Sequence, residues 1–283
     1  MNNLENDIQA NFLTFISTKK DMEYTIEVMQ TNIESYIKKY SIKSLILGIS
    51  GGIDSAFAAA LLRPVCDKIA IPLIGRSITI ETNTLSEIER SISVGENFCH
   101  DFKHLDFTSI YHNLKKSLLD LDNSRLSKLR TGNCKARIRM IILYDLAQKN
   151  QGIVISTDNF TEYLTGFWTL HGDVGDYAPF ARLWKTEVYF ASKLLANQYK
   201  DYAKKALESC INATPTDGLG ITSSDLEQLG VESYDEADNI FINYFKGDKT
   251  LENHVLIKRF HASAHKRINP IIIERNELLK KII

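Results

Sequence analysis

The stretch that most constrains the fold is LILGISGGIDSAFAAALL at 45–62, which reads as a strand, a Gly-rich turn and a helix. The short apolar run before the turn is typical of a buried strand. The glycines let the backbone turn tightly, and the following helix presents its positive end at the same place. Backbone N–H groups and a helix N-terminus together suit a phosphate. We therefore predict a phosphate-binding loop at 48–55.

The first 160 residues alternate between apolar runs and helical patterns, which predicts an α/β protein with a doubly wound parallel sheet and helices on both faces. The predicted strands are 44–49, 68–74, 101–107 and 153–156. The predicted helices are 5–40, 54–62, 86–99, 108–120, 134–149, 185–198, 234–245 and 249–264, and Arg63-Pro64 is expected to end the second of them. Ligands of such sheets bind beyond the strand ends, where 50–55 and 157–162 lie.

Composition excludes several classes of protein. The 283 residues carry a formal charge of −1, so no overall attraction to nucleic acid or membrane follows. No apolar run approaches the ~18 residues that a membrane span needs, and the N-terminus lacks the pattern of a signal peptide. The cysteines show no CxxC spacing and are expected to be free thiols in a reducing cytoplasm. They are Cys66, Cys99, Cys134 and Cys210.

Asp54 distinguishes this loop from the common phosphate loop, which carries a lysine near the helix start. A carboxylate alone would repel a phosphate, but it can approach one through Mg²⁺, which binds carboxylate and phosphate oxygens together. The competing interpretation is that Asp54 only caps its helix. Capping does not account for the Ser-Gly-Gly that precedes it.

The motif Ser-Gly-Gly-x-Asp-Ser after a strand resembles the pyrophosphate loop of the N-type ATP pyrophosphatase superfamily. That resemblance implies cleavage of ATP between its α and β phosphates. Five later segments, in this order, resemble ammonia-dependent NAD synthetases. They are GNCKARIRM (132–140), STDNFTEYLTGFWTLHGDVGDYAPFARLWKTEVY (156–189), TPTDGLG (214–220), ESYDEADNIF (232–241) and AHKRINP (264–270).

The resemblance implies one synthetase domain over 1–283 with an adenine nucleotide alpha-hydrolase-like fold. Within it, 1–40 forms a helical N-terminal segment, and 264–283 forms a tail that we interpret as a candidate lid. The resemblance also implies a homodimer, with the helices of 108–150 near the interface. The expected reaction is ATP-dependent amidation of deamido-NAD by ammonia through an acyl-adenylate, which yields NAD, AMP and pyrophosphate.

The same resemblance assigns site residues. Asp54 and Glu162 are the expected Mg²⁺ ligands, and Lys185 is the expected catalytic residue at the phosphates. The expected contacts of ATP are Gly48, Ile49, Ser50, Gly51, Gly52, Ile53, Asp54, Ser55, Thr157, Lys185 and Thr216. The expected contacts of deamido-NAD are Arg137, Asp176, His265 and Lys266.

Simpler interpretations stand beside several of these roles. Glu162 could be a surface acid that complements a helix dipole, and Lys185 could be a solvated lysine, although the start of a helix disfavours a cation. Arg137 and Arg139 lie about 200° apart around a helix, so we expect only one to reach the substrate. The family pattern selects Arg137.

Three departures from the family pattern bear on recognition of the dinucleotide. Leu170 stands where a lysine is common, and the 172–177 loop is one residue short, so that matching Asp176 requires a gap. An arginine common in the second strand is replaced by Pro72, with Arg76 displaced.

Alternatives stay open for the nitrogen donor and for the class of function. The chain has no added domain with a catalytic cysteine for a glutaminase, so free ammonia is the expected donor, and a separate glutaminase subunit stays open. One alternative function is another adenylating amidotransferase or a tRNA-modifying enzyme. A second is a regulator that binds ATP without turning it over.

Overall fold

A computed structural model describes residues 2–121, 128–216, 224–273 and 275–278. Its centre is a four-stranded sheet in the order β3-β2-β1-β4, and every neighbouring pair is parallel. The strands are β1 (Leu45–Gly48), β2 (Leu73–Thr79), β3 (Asp101–Asp106) and β4 (Ile153–Val154). The predicted fold class is confirmed.

The helices follow and separate these strands along the chain. They are α1 (Asn2–Asn11), α2 (Lys19–Tyr40), α3 (Ile53–Ile69), α4 (Leu85–Phe98), α5 (Thr108–Leu121), α6 (Lys128–Lys149), α7 (Phe160–Thr165), α8 (Lys185–Ala196), α9 (Asp201–Ile211), α10 (Asp225–Leu229), α11 (Tyr234–Phe245), α12 (Val255–Ala262), α13 (Ala264–Arg267) and α14 (Arg275–Leu278), with a 3₁₀ helix at Lys249–Asn253. In the part of the chain that is described, no helix is both long and apolar enough to cross a membrane.

Helices cover both faces of the sheet. Successive side chains of each strand point to opposite faces, so each strand contributes to two cores. Leu45 and Leu47 of β1 join the core formed with α2, α3, α8 and α9, whereas Ile46 joins the core formed with α5 and α6. A third core lies beyond the sheet and includes Phe160, Trp184 and Phe241. It supports α7, α8, α11 and α12, and thereby the elements that follow the strand ends.

The expected helix end at Arg63-Pro64 is wrong, because α3 continues to Ile69 with Pro64 inside it. The apolar side chains of α3 are buried on both sides of the proline, so burial offsets the hydrogen bond that proline cannot donate. The second strand consequently begins at Leu73 rather than at 68. Arg76 therefore lies within β2, opposite Gly48, which corrects the expectation that the second strand lacks an arginine.

The N-terminal segment is two helices rather than one, and the intervening residues pack behind the strand ends. Phe12 stacks on Phe160 with ring centroids 4.1 Å apart. Phe15 lies edge-on to Trp184, and Ile16 N–H donates to Glu187 Oε1 over 2.6 Å. The helix expected at 249–264 is likewise divided into a 3₁₀ helix and α12.

Candidate active site

The predicted phosphate loop lies at the end of β1 and is held by its own hydrogen bonds. Ser50 N–H donates to Ser55 Oγ over 3.2 Å, and the two hydroxyl oxygens are 3.0 Å apart. Gly51 has a φ of +84°, and an added Cβ would lie 2.3 Å from the carbonyl oxygen of Glu87. Gly52 is the N-cap of α3, so the interpretation of Asp54 as the N-cap is wrong.

Lys185, from the first position of α8, connects the two predicted metal ligands. Its Nζ donates to Asp54 Oδ2 and, over 3.1 Å, to Glu162 Oε1. The Lys185 side chain is only 3% exposed, which rules out a solvated lysine. Asn159 Nδ2 donates to Asp54 Oδ1 over 3.0 Å and completes this cluster.

Glu162 is fixed by the start of its own helix. Asn159 is the N-cap of α7, and its side-chain oxygen accepts the Glu162 N–H over 3.1 Å. Glu162 Oε2 in return accepts the Asn159 N–H over 3.3 Å, a reciprocal capping box. The Glu162 side chain is 17% exposed and its other oxygen faces Lys185, so it is no ordinary surface acid.

Burial shifts the pKa values of several groups in and beside this cluster. Burial acts to lower the pKa of Lys185, but Asp54 and Glu162 outweigh it and raise that pKa well above its usual value. Burial also raises the pKa of Glu162, with Asp54 adding to the shift and Lys185 opposing it. Burial raises the pKa of Asp158 to about 6 against the hydrogen bond from Ser156. One ammonium thus faces more carboxylates than it can neutralise.

Asp54 and Glu162 fit a shared divalent cation. Their oxygens converge on a single Nζ, and carboxylates are ligands that Mg²⁺ prefers. The described residues contain no group of three His, Cys, Asp or Glu side chains suited to a metal. Further ligands would therefore have to come from a bound phosphate or from water.

A cavity of about 250 Å³ opens between the loop, the end of β2 and α6. Most residues expected to contact ATP line it, whereas Gly51 and Ser55 are not part of its described wall. The expected residues on its wall are Gly48, Ile49, Ser50, Gly52, Ile53, Asp54, Thr157, Lys185 and Thr216. Thr216 also donates its hydroxyl to Glu87.

Arg139, rather than Arg137, lines this cavity. Arg139 Nε donates to the Ile78 carbonyl over 3.1 Å, and its other end reaches Asn83 Oδ1 at 3.0 Å. Arg137 is exposed and donates to the Leu170 carbonyl over 3.2 and 3.3 Å. The opposite faces follow from the helical spacing, and a dinucleotide contact at Arg137 stays a prediction.

The other expected dinucleotide contacts also lie outside the described wall of this cavity. Asp176 accepts the Val154 N–H over 2.8 Å and the Tyr144 hydroxyl over 3.0 Å. Lys266 Nζ donates to the carbonyls of Gly166, over 2.7 Å, and Trp168. His265 is the exposed residue next to Lys266 on α13. The tail thus begins against 166–168, and its role as a lid stays a prediction; 274 and 279–283 lie outside the described residues.

Several residues of the site were missed by the sequence reasoning. Asn159 carries a readable signal, since an asparagine three residues before a glutamate is typical of a capping box. Asp173 lines the cavity, but nothing in its local sequence marks it, and Arg76, which was expected to be displaced, lines it as well. Their position depends on how β2 and the irregular 171–184 segment meet in three dimensions.

These features define a class, a doubly wound α/β protein whose phosphate loop works with a distant lysine and a pair of carboxylates. Comparison with known proteins narrows the class. The family model described as NAD synthase matches residues 25–281, and the chain belongs to that family.

Two sequence relatives share the same name. The NH(3)-dependent NAD(+) synthetase of Thermococcus sibiricus is 31% identical over 75% of this chain and 77% of its own. The enzyme of the same name from Methanococcoides burtonii is 31% identical over 84% of this chain and 89% of its own.

Solved structures are similar over most of the chain. An NMN synthetase from Francisella tularensis has a TM-score of 0.75 and 25% identity, covering 90% of this chain and 98% of its own. An NH3-dependent NAD synthetase from Campylobacter jejuni has a TM-score of 0.65 and 25% identity, covering 89% of this chain and 99% of its own.

Gly51→Ala tests the loop geometry. We expect it to lower the free energy of unfolding by more than ~1 kcal/mol and to abolish ATP binding, because positive φ and a backbone clash combine there. Gly247→Ala is the matched control, since Gly247 has a φ of +103° but no atom within 4 Å of an added Cβ. Urea unfolding and calorimetric ATP titration measure both. Equal losses in the two variants would contradict the clash.

Asp173→Asn tests the buried charge at the cavity. Burial, and then Asp158, raise the pKa of Asp173 to about 7, although Thr169 N–H donates to it. Because the pKa of Asp173 is higher in the folded chain than its ordinary value of 3.8, the folded chain is most stable, as far as this group is concerned, below pH 3.8. That stability is lost as the pH rises through 7, where Asp173 must ionise while buried. The variant should therefore gain more stability relative to the native chain at pH 8 than at pH 5. Exposed Asp145→Asn is the control in urea unfolding. A pH-independent difference would refute the assignment.

Proposed function

We propose that this chain amidates the nicotinate carboxylate of deamido-NAD with ammonia and converts ATP to AMP and pyrophosphate. The observation that carries the proposal is the Asp54–Lys185–Glu162 cluster beside a pyrophosphate-type loop in a member of the NAD synthase family. Relatives that span most of the chain are named NH(3)-dependent NAD(+) synthetases. The enzyme is then a ligase that forms a carbon–nitrogen bond.

Activation by ATP answers a chemical difficulty. A carboxylate resists attack by ammonia because it is a poor electrophile with a poor leaving group. In the first step, a carboxylate oxygen attacks the α-phosphorus of ATP, and the bond to pyrophosphate breaks. In the second step, ammonia attacks the acyl carbon, AMP leaves with the bonding electron pair, and the nitrogen loses its extra proton.

The chain contributes orientation and charge to both steps. Backbone N–H groups of 50–55 would hold the departing pyrophosphate. Lys185 stays protonated because its neighbours raise its pKa, so its ammonium would stabilise negative charge on the phosphates. Thr157 and Thr216 line the cavity that is proposed to bind ATP. Arg137, Asp176, His265 and Lys266 are proposed for the dinucleotide.

We propose Mg²⁺ as the cofactor, held by Asp54 and Glu162. When bound it would neutralise charge on the phosphates, as metal ions do in phosphoryl transfer. The closeness of the two carboxylates to each other beside the phosphate loop supports this choice, and the Lys185 ammonium, which occupies the point between them in this structure, would have to move aside for the metal. A cytoplasmic location, with no membrane or nucleic-acid partner, stays a prediction.

A second candidate substrate is nicotinate mononucleotide, which carries the same carboxylate without the adenylate half. The similarity to an NMN synthetase structure with a TM-score of 0.75 favours testing it. The departures at Leu170 and in the 172–177 loop also concern the region expected to recognise the dinucleotide.

The deciding experiment supplies ATP and Mg²⁺ with either nicotinate substrate and with either ammonium or glutamine. We expect NAD, AMP and pyrophosphate from deamido-NAD and ammonium. Asp54→Ala and Glu162→Gln should lower kcat at least about 100-fold, the scale of losing one preorganised electrostatic group. Exposed Glu23→Gln is the control.

The failures of this assay are informative. AMP formed on another carboxylate or on tRNA would support a different adenylating enzyme. Bound ATP that stays intact would support the regulator. Full activity of Asp54→Ala or Glu162→Gln would remove the metal assignment.

We also propose a homodimer through α5 and α6. These helices expose the apolar side chains of Ile110, Leu114, Ile141 and Tyr144, with Ile141 68% exposed. The pairs lie four and three residues apart, so each pair shares a helix face. Exposed apolar patches of this kind mark protein interfaces.

Ile141→Glu tests the interface, because it places a charge in the apolar patch. We expect a dimer for the native chain and a monomer for the variant in size-exclusion chromatography with light scattering. Val255→Glu is the control, since Val255 is a 49% exposed apolar residue on α12. A native chain that is monomeric at micromolar concentration would refute the dimer.

A further inference from the structure

Asp238 is a fully buried carboxylate to which the proposed chemistry gives no role. It lies on α11, within the segment ESYDEADNIF, and is 0% exposed. One oxygen accepts the Thr161 hydroxyl, and the other accepts the Thr186 N–H over 3.0 Å and the Thr186 hydroxyl over 2.7 Å. Burial raises the pKa of Asp238 to about 7, with those bonds opposing the shift. A buried carboxylate is costly for folding unless it is well bonded.

The two threonines are the immediate neighbours of the reactive cluster. Thr161 precedes Glu162 in α7, and Thr186 follows Lys185 in α8. The Thr161 hydroxyl also accepts the Lys185 N–H over 2.9 Å. A continuous chain of hydrogen bonds thus runs from the Lys185 backbone through Thr161 to Asp238, and returns to α8 at Thr186.

This bonding joins the first turns of two helices, beside the backbone bond of 2.7 Å from Phe160 N–H to the Leu183 carbonyl just before α8. α7 has six residues, too few to hold a fixed direction without tertiary contacts. Both helix N-termini carry positive partial charge, and that charge favours a carboxylate placed between them. A rotation of α7 relative to α8 would strain the bonds that Thr161 and Thr186 donate to Asp238.

We propose that Asp238 is a positioning residue that sets the separation of Glu162 and Lys185 through Thr161 and Thr186. The effect of Asp238 on turnover rests on the proposed function. Its effect on the geometry of the ligand-free Asp54–Lys185–Glu162 cluster is independent of that function. A merely structural role would instead lower stability and leave the environment of Lys185 unchanged.

The kinetic test uses Asp238→Asn, which keeps the volume but replaces one acceptor oxygen with a donor. Ile242→Ala is the matched control, because Ile242 lies one turn along α11, is 4% exposed and packs in the same core. We expect kcat to fall at least about 10-fold in Asp238→Asn, in keeping with the cost of small misplacements. The KM for ATP should change less than about twofold, and Ile242→Ala should lose stability with little change in kcat. Equal losses of kcat at equal stability would overturn the proposal.

The second test needs no substrate. The buried Lys185 ammonium should give a slowly exchanging ¹H–¹⁵N signal in lysine-labelled protein, identified by its loss in Lys185→Arg. We expect that signal to shift in Asp238→Asn and to stay in place in Ile242→Ala. An unmoved signal in Asp238→Asn would overturn the proposal, whereas a moved signal with no NAD formed by the native chain would refute the proposed function alone. Thr186→Val, which removes one hydroxyl bond, should shift the signal in the same direction if Asp238→Asn does not fold.

Discussion

The contact of the Lys185 ammonium with Asp54 and Glu162 is the interaction on which the site depends. A buried ammonium is costly unless it is paired, and two buried carboxylates repel each other unless a cation lies between them. Each of the three charges is therefore tolerated only because the other two are present. Their sequence positions are far apart, so the cluster forms only when α3, α7 and α8 are all in place.

The parallel sheet determines where those elements begin. β1 leads into the phosphate loop and α3, while β4 leads into Asn159 and α7. Because β1 and β4 are hydrogen-bonded neighbours that run in the same direction, both loops emerge at one edge. Lys185 comes from a helix that follows no strand in the described chain. It reaches this edge because α8 packs across α3 and the sheet core.

Local patterns were sufficient to predict the loop and the strand–helix alternation. The expected roles of Glu162 and Lys185 came from the family resemblance, and the structure brings both side chains together with Asp54. The patterns failed where tertiary packing overrides local preference. Pro64 is a strong helix breaker, yet α3 passes through it because its flanking turns are buried, and this moved β2 and Arg76. Helical spacing separated Arg137 from Arg139 correctly. It could not say which of the two faces the cavity, since that depends on how α6 lies against β2.

Asp238 illustrates a further limit of sequence reasoning. In a sequence, a carboxylate in an amphipathic helix is expected to be solvated. Only the packing of α11 against the starts of α7 and α8 shows that Asp238 is buried. The backbone beside Lys185 is held from two sides. Asp238 and Thr161 bond to it from one side, while Glu187 accepts the N–H groups of Trp184 and Ile16 on the other.

Ile16 lies in the N-terminal segment before residue 25, where the family match begins. Phe12 and Phe15 of the same segment pack on Phe160 and Trp184, each of which is adjacent or close in sequence to a residue of the reactive cluster. The sheet therefore brings the charged groups to one edge, but it does not by itself fix their spacing. That spacing is set by a layer behind the edge, built from α11 and a segment that contributes no side chain to the cavity. A chain with the same loop and the same three charges, but without this layer, would still hold the end of α7 through the bonds that Arg259 and Arg267 donate to its carbonyls, but would lose the bond from Thr161 to Asp238 that lies directly beside Glu162.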